Sequence, residues 1–192
     1  MTALDRLAAA ITPTKNERLR AEARAKARML AVPGDWLSMI LDHHHEVEVA
    51  FAAVKKASSE AARTAAQKEL AIILTGHAIA EESVIYPALA EVGEKGHAGT
   101  AYSEQAAVKI QMALLEKLPP MSPDYECKLE HIREAVVHHM CEEEGTWFLE
   151  LQNKASAAEQ GRLAARYKQE FVRYIQGADT TPAFESKLAD GM

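Results

Sequence analysis

Two short units of the same kind constrain this chain more than any other feature. His77 and Glu81 stand four residues apart, and so do His139 and Glu143. In a helix that spacing puts both side chains on one face, one turn apart. The likeness runs further. His77 is followed by Glu81, Glu82, Tyr86 and Leu89, and His139 at the same offsets by Glu143, Glu144, Phe148 and Leu151. Each unit lies on an apolar stripe of helical period. The first stripe is Leu70, Ile73, Leu74, His77, Glu81, Val84 and Ala88. The second is Ile132, Val136, His139, Glu143 and Trp147. Inward-facing His and Glu on two such helices predict a metal site inside a helix bundle.

A third helix carries a matching residue. The stripe Leu37, Ile40, His44, Val47, Phe51 and Val54 has clean helical spacing, whereas the stripes through His43 and His45 include Glu46, Asp42 and Glu48. His44 is therefore the inward histidine, with His43 and His45 flanking it. Further along, Gln105 is followed by Val108, Met112 and Leu115 at the offsets at which His44 is followed by Val47, Phe51 and Val54. From His44 to His77 is 33 residues, and from Gln105 to His139 is 34. The chain reads as a helix pair used twice, with Gln105 where the repeat would place a fourth histidine.

The remaining elements follow from breakers and caps. A short helix is expected over 3–11. Thr12-Pro13 then opens a basic helix that runs to about Ala31, with a thin apolar stripe of Leu19, Ala23, Ala27 and Leu30. It reads as a solvated helix laid on the bundle. Val32-Pro33-Gly34 breaks it and Asp35 caps the next helix, about 36–57. A long helix follows over about 60–91. Gly76 in it could make room beside a site, and Pro87 fits a kink or a stop. Gly93, Gly96 and Gly99 mark a loop over 92–99 before a helix of about 100–118. Pro119-Pro120 ends that helix, and Ser122-Pro123 opens one of about 123–153. A last helix, about 156–176, packs Leu163, Tyr167, Phe171 and Tyr174 or Ile175 against the bundle. Residues 177–192 read as a poorly ordered tail. The expected domain division is a helical extension over 1–34, a bundle over 35–154, and a helix with tail over 155–192.

Composition agrees and excludes some classes. The 192 residues are rich in Ala, Leu, Glu, Lys and Arg, a helical composition. A formal charge of −6 argues against a general nucleic-acid binder. Cys127 and Cys141 make neither a disulfide framework nor a zinc ribbon, which fits a cytoplasmic, reducing setting. Asp5 and Arg6 interrupt the short apolar run near the start, so no signal peptide is expected. No apolar run approaches ~20 residues, so no membrane span is expected.

Three histidines, two glutamates and a glutamine at one level of a core need a physical reason. Buried carboxylates are costly unless paired or coordinated. Mixed imidazole and carboxylate donors suit iron, manganese or zinc. The same residues could also pair across the core without a metal.

His44, His77-x-x-x-Glu81 and His139-x-x-x-Glu143, with Tyr86-Pro87 trailing the first unit, resemble the hemerythrin-like (HHE cation-binding) family over roughly residues 36–151. The resemblance implies an all-α fold: an up-down-up-down four-helix bundle, here with extra N-terminal and C-terminal helices. It implies two non-haem irons with carboxylate and oxo or hydroxo bridges. His44, His77 and His139 would be terminal ligands, and Glu81 and Glu143 would bridge. Gln105 departs from the family, which expects His there. It could ligate weakly through its amide oxygen, or Glu104, Tyr102 or His97 could substitute. Zinc or manganese would be the alternative metals. The family's chemistry implies O2, peroxide or NO as the small ligand, in oxygen binding or sensing or in an oxidative-stress response. An enzymatic version would be peroxidase- or catalase-like, or NO- or O2-reducing. The rival readings are a helical interaction module with a zinc or mononuclear site, and iron storage or delivery. A monomer or homodimer is expected, with no nucleic-acid or membrane partner.

Overall fold

The structure, a computed structural model, describes residues 17–179. The expected helix over 3–11, the Thr12-Pro13 cap and the end of the chain lie outside the described residues. Among those described, every regular element is helical. In chain order these are α1 (Glu17–Leu30), α2 (Trp36–Lys56), α3 (Glu60–Ala80), α4 (Tyr86–Glu91), α5 (Lys95–Leu115), α6 (Pro123–Glu142), α7 (Phe148–Lys154) and α8 (Ala157–Asp179). Asp35, Ser59 and Ser122 cap α2, α3 and α6 by accepting the N–H of the residue three positions on.

The two long predicted helices exist, but each is interrupted by a wider turn. Glu81–Ile85 joins α3 to α4, and Glu143–Trp147 joins α6 to α7. In each the bond skips an extra residue: the Tyr86 N–H reaches the Glu81 carbonyl, and the Phe148 N–H reaches the Glu143 carbonyl. These are π turns, and each begins at the Glu of a His-x-x-x-Glu unit. A π turn turns through less angle per residue than an α turn, so residues five apart share a face. Pro87, lacking an N–H, follows the first π turn and breaks nothing there.

The helix with Gln105 starts at Lys95 and ends at Leu115, earlier than expected at both ends. Gly93 alone makes the stop before it. It sits at φ +100°, while the Glu94 N–H bonds the Leu89 carbonyl and the Gly93 N–H bonds that of Ala90. Gly96 and Gly99 then fall within α5, with open space around them.

The rods α2, α3–α4, α5 and α6–α7 make a four-helix bundle. One apolar layer contains Leu37, Ile40, Leu41, Val84, Ile85, Leu89 and Phe148. The other contains Val47, Phe51, Leu70, Leu74, Met112, Ile132 and Val136. On each rod the polar residue predicted to face inward lies at the seam between these layers. Two further helices flank the bundle. α1 lies over α2, α6 and the second π turn, and α8 over α2 and α3. Ala23 and Ala27 are buried on α1, while Leu19 and Leu30 stay partly exposed. No helix among the described residues is long and apolar enough to cross a membrane.

Gly76 makes room for α8, and its open side faces away from the site. A Cβ there would lie 3.1 Å from Tyr174, 3.2 Å from Ile175 and 3.4 Å from Phe171. Gly76→Leu should therefore lift α8 and destabilise the fold by about 1–3 kcal/mol, as overpacking does. Urea unfolding of the variant beside the native chain measures this, and an unchanged midpoint would show that α8 is not seated on Gly76.

Candidate metal centre

The inward residues come from all four rods and meet at the seam between the apolar layers. His44 comes from α2, His77 and Glu81 from α3 and the turn after it, Gln105 from α5, and His139 and Glu143 from α6 and the turn after it. His44, His77, Glu81, Gln105, His139 and Glu143 are all buried. The Nε2 atoms of the histidines face the carboxylates. His77 Nε2 is 3.1 Å from Glu81 Oε2, and His139 Nε2 is 3.2 Å from Glu143 Oε1. His44 Nε2 is 3.3 Å from Glu143 Oε2 and 3.9 Å from Glu81 Oε1. Donor atoms of His44, His77, Glu81 and Glu143 come within 4.8 Å of one another, close enough for one ion.

Each histidine is held from behind through Nδ1. His44 Nδ1 is 2.8 Å from Glu144, and His139 Nδ1 is 2.8 Å from Glu104. His77 Nδ1 is 3.1 Å from the Tyr167 hydroxyl, which also lies 2.8 Å from His43 Nδ1. Burial and the neighbouring His44 lower the His43 pKa to about 4. Neutral His43 can thus accept the Tyr167 proton, leaving the Tyr167 oxygen to accept from His77. A donor at Nδ1 leaves Nε2 bare, the tautomer a metal requires. Arg24 on α1 completes this outer layer, reaching Glu144 at 3.0 Å and Glu48 at 2.8 Å. Gly145 lets α1 come close enough, since a Cβ there would lie 3.3 Å from that of Ala23.

Several of these residues were not found from the sequence. Arg24 reads there as one of several solvated bases. Glu144 reads there only as the repeat partner of Glu82. The two carboxylates part company in space: Glu82 pairs with Lys109, and Glu144 is buried under Arg24. Tyr167 reads only as core packing. The signal for Tyr86 was present, because both units carry an aromatic five residues after the Glu. Only the π turns bring that position inward.

Gln105 is at the centre, as the repeat register requires. Its amide nitrogen lies 2.7 Å from Glu81 Oε2 and 2.5 Å from the Tyr86 hydroxyl. The proposed substitutes are engaged elsewhere. Glu104 backs His139. The Tyr102 hydroxyl donates to the Glu82 carbonyl at 2.6 Å. His97 lies on α5, not in a loop, and sits outside the centre with Glu94 and Glu150, where Lys154 also pairs with Glu94.

The electrostatics without a cation are strained. Burial pushes Glu81 up to about 7, with the Glu143 carboxylate as the next cause. Burial also opposes the charge of Glu143, but His139 and His44 outweigh it and hold that carboxyl below its usual range. Burial likewise opposes a charged His139, yet Glu143 and Glu104 raise it to about 10. The Tyr86 phenol is pushed well up by burial and by Glu143 and Glu81. Four buried atoms in the centre have no hydrogen-bond partner: His44 Nε2, Glu81 Oε1, Gln105 Oε1 and Glu143 Oε2. Unpartnered buried donors and acceptors of this kind are rare and costly. All four are good ligand atoms, so the residues fit a bound cation.

A cavity of about 300 Å³ reaches the centre between α3, α5 and α6. His77, Gln105 and His139 lie at its inner end, and Leu74, Val108, Met112, Val136 and Met140 make its walls mostly apolar.

The chain belongs to the hemerythrin HHE cation binding domain family, which it matches over residues 36–151. Among solved structures it is similar to a hemerythrin HHE cation binding domain-containing protein from Mycobacterium kansasii. The TM-score is 0.66 at 24% identity, over 75% of this chain and 89% of that one, a likeness of fold. A protein named as a DNA nickase, from Nostoc sp., is 28% identical over 95 residues. That match takes in 50% of this chain and 27% of the relative's length.

The His139 proton gives the metal-free protein a pH signature. Above 6.5 an unfolded histidine is neutral, while folded His139 keeps its proton up to about 10. Its contribution to stability is complete below 6.5 and lost as pH rises through about 10. The thermal midpoint of metal-free protein should therefore fall across that interval, as read by circular dichroism. A flat profile would mean that His139 carries no such proton.

Proposed function

We propose that this chain is a non-haem di-iron protein whose ligand or substrate is O2, peroxide or NO. His44, His77, His139, Glu81 and Glu143 would hold the irons, with Gln105 beside them. The observation that carries this is the set of four unpartnered buried atoms, into whose midst three histidine Nε2 atoms point. Membership of a cation-binding family supports it. Iron is favoured over zinc because the centre gathers more donors than a four-coordinate ion takes, with two carboxylates placed between histidines.

When bound, a pair of irons supplies electron exchange with small oxidants. The chain's own residues prepare for that. Two apolar layers keep bulk water away. Glu104, Glu144 and Tyr167 fix ring orientation from behind and keep Nε2 aimed inward. The apolar cavity admits a small uncharged molecule to the Gln105 side. The nickase name describes a longer protein and is not extended to this chain.

The test is metal analysis of protein reloaded anaerobically with Fe(II), followed by exposure to air, NO and peroxide. Two irons per chain and a visible spectrum that responds to these ligands are expected. Glu81→Ala and Glu143→Ala should each lose most of the metal, while Glu82→Ala keeps it. Zinc alone, or equal losses from all three variants, would overturn the reading.

A further inference from the structure

We propose that Tyr86 is a metal ligand, its phenol oxygen standing in for the histidine that Gln105 has replaced. This rests on the metal-centre reading above.

The internal repeat carries the first argument. Half of the centre comprises His44, His77, Glu81 and, five residues after the other Glu, Phe148. The other half comprises Gln105, His139, Glu143 and, five residues after Glu81, Tyr86. Both aromatics are turned inward by a π turn. Phe148 stacks beside His44, with ring centres 6.4 Å apart, and offers no donor atom where a histidine already serves. Tyr86 offers an oxygen where the histidine is missing. The two substitutions, His to Gln and Phe to Tyr, fall on the same half.

The second argument is distance. The Tyr86 oxygen is 2.8 Å from Glu143 Oε1, 3.0 Å from His139 Nε2 and 3.1 Å from Glu81 Oε2. Neighbouring donors on a six-coordinate ion with bonds near ~2.1 Å lie about 3 Å apart. The oxygen is thus spaced from all three as a fellow ligand would be. A ring serving only as packing has no need to bring its oxygen to two carboxylates and a histidine. The Gln105 amide, 2.5 Å from that oxygen, then acts as a positioning donor to it.

Binding breaks the phenol O–H bond and forms an oxygen–metal bond. The proton leaves to water, and no electron changes hands. A phenolate on oxidised iron absorbs visible light by charge transfer from ring to metal, and excitation in that band enhances the ring's vibrations.

The experiment is resonance Raman and visible spectroscopy on the full chain, iron-loaded and oxidised, with iron counted in the same samples. Native protein should show the charge-transfer band and phenolate ring modes. Tyr86→Phe should lose both, and its iron content should fall by half. Tyr102→Phe should keep all three. A native protein with both irons and no phenolate modes would overturn the Tyr86 assignment alone, even if the variant failed to fold. So would a band that survives in Tyr86→Phe. A native chain that takes up no iron would sink the metal-centre reading itself.

Discussion

Two carboxylates in one apolar seam are the constraint on which the rest of this molecule turns. Glu81 and Glu143 are fully buried and close enough that each disfavours the other's charge. Two ionised carboxylates do not stay together in a low-dielectric core unless something positive lies between them. Without a cation the chain can offer only protons, shared among Glu81, His44 and His139. That arrangement leaves an imidazole nitrogen and three side-chain oxygens unpartnered. A bundle assembled for stability would have filled the seam with leucines. The polar seam fits the cation-binding centre of the family, and the apolar layers on either side keep it from bulk water.

The π turns convert a helix pattern into a site. In an unbroken α-helix Tyr86 would point well away from Glu81, and Phe148 away from Glu143. Widening one turn in each rod swings both aromatics inward and leaves the apolar stripes intact on either side. The cost is one poorly bonded turn per rod, placed where side-chain hydrogen bonds and packing from α1 and α8 hold it. These two flanking helices are more than a coat. α1 delivers Arg24 to Glu144, and α8 delivers Tyr167 to His77 and His43. Each therefore braces one histidine from outside the four-helix bundle.

What was legible in the sequence was whatever obeys the helical period. The rods, their caps, the inward choice of His44 over its neighbours, and the level of Gln105 all follow from 3.6-residue spacing and from the repeat. What was not legible depends on departures from that period or on contacts between distant segments. Tyr86 is misplaced by any argument that assumes a regular helix. Glu144 looks equivalent to Glu82 until α1 covers one and solvent the other. Gly76 invites a reading as room for a ligand, since nothing local shows that α8 will lie across it. Counting glycines likewise overstates a break: Gly93, with its positive φ, ends α4 alone, and Gly96 and Gly99 ride inside the next helix.

The asymmetry between the two halves is the more telling outcome of the repeat. A duplicated helix pair would by itself give two equivalent metal positions, each with two histidines and a share of both carboxylates. Here one half keeps its two histidines beside a phenyl ring. The other has a single histidine beside an amide and a phenol. The cavity reaches Gln105 and His139 of one half and His77 of the other. The half that departs from the repeat thus contributes two of the three polar residues at the inner end of the cavity. His44 stands apart from the cavity lining and is anchored from behind by Glu144 and Arg24. A small molecule entering along the cavity would therefore meet His77, Gln105 and His139 before it met His44.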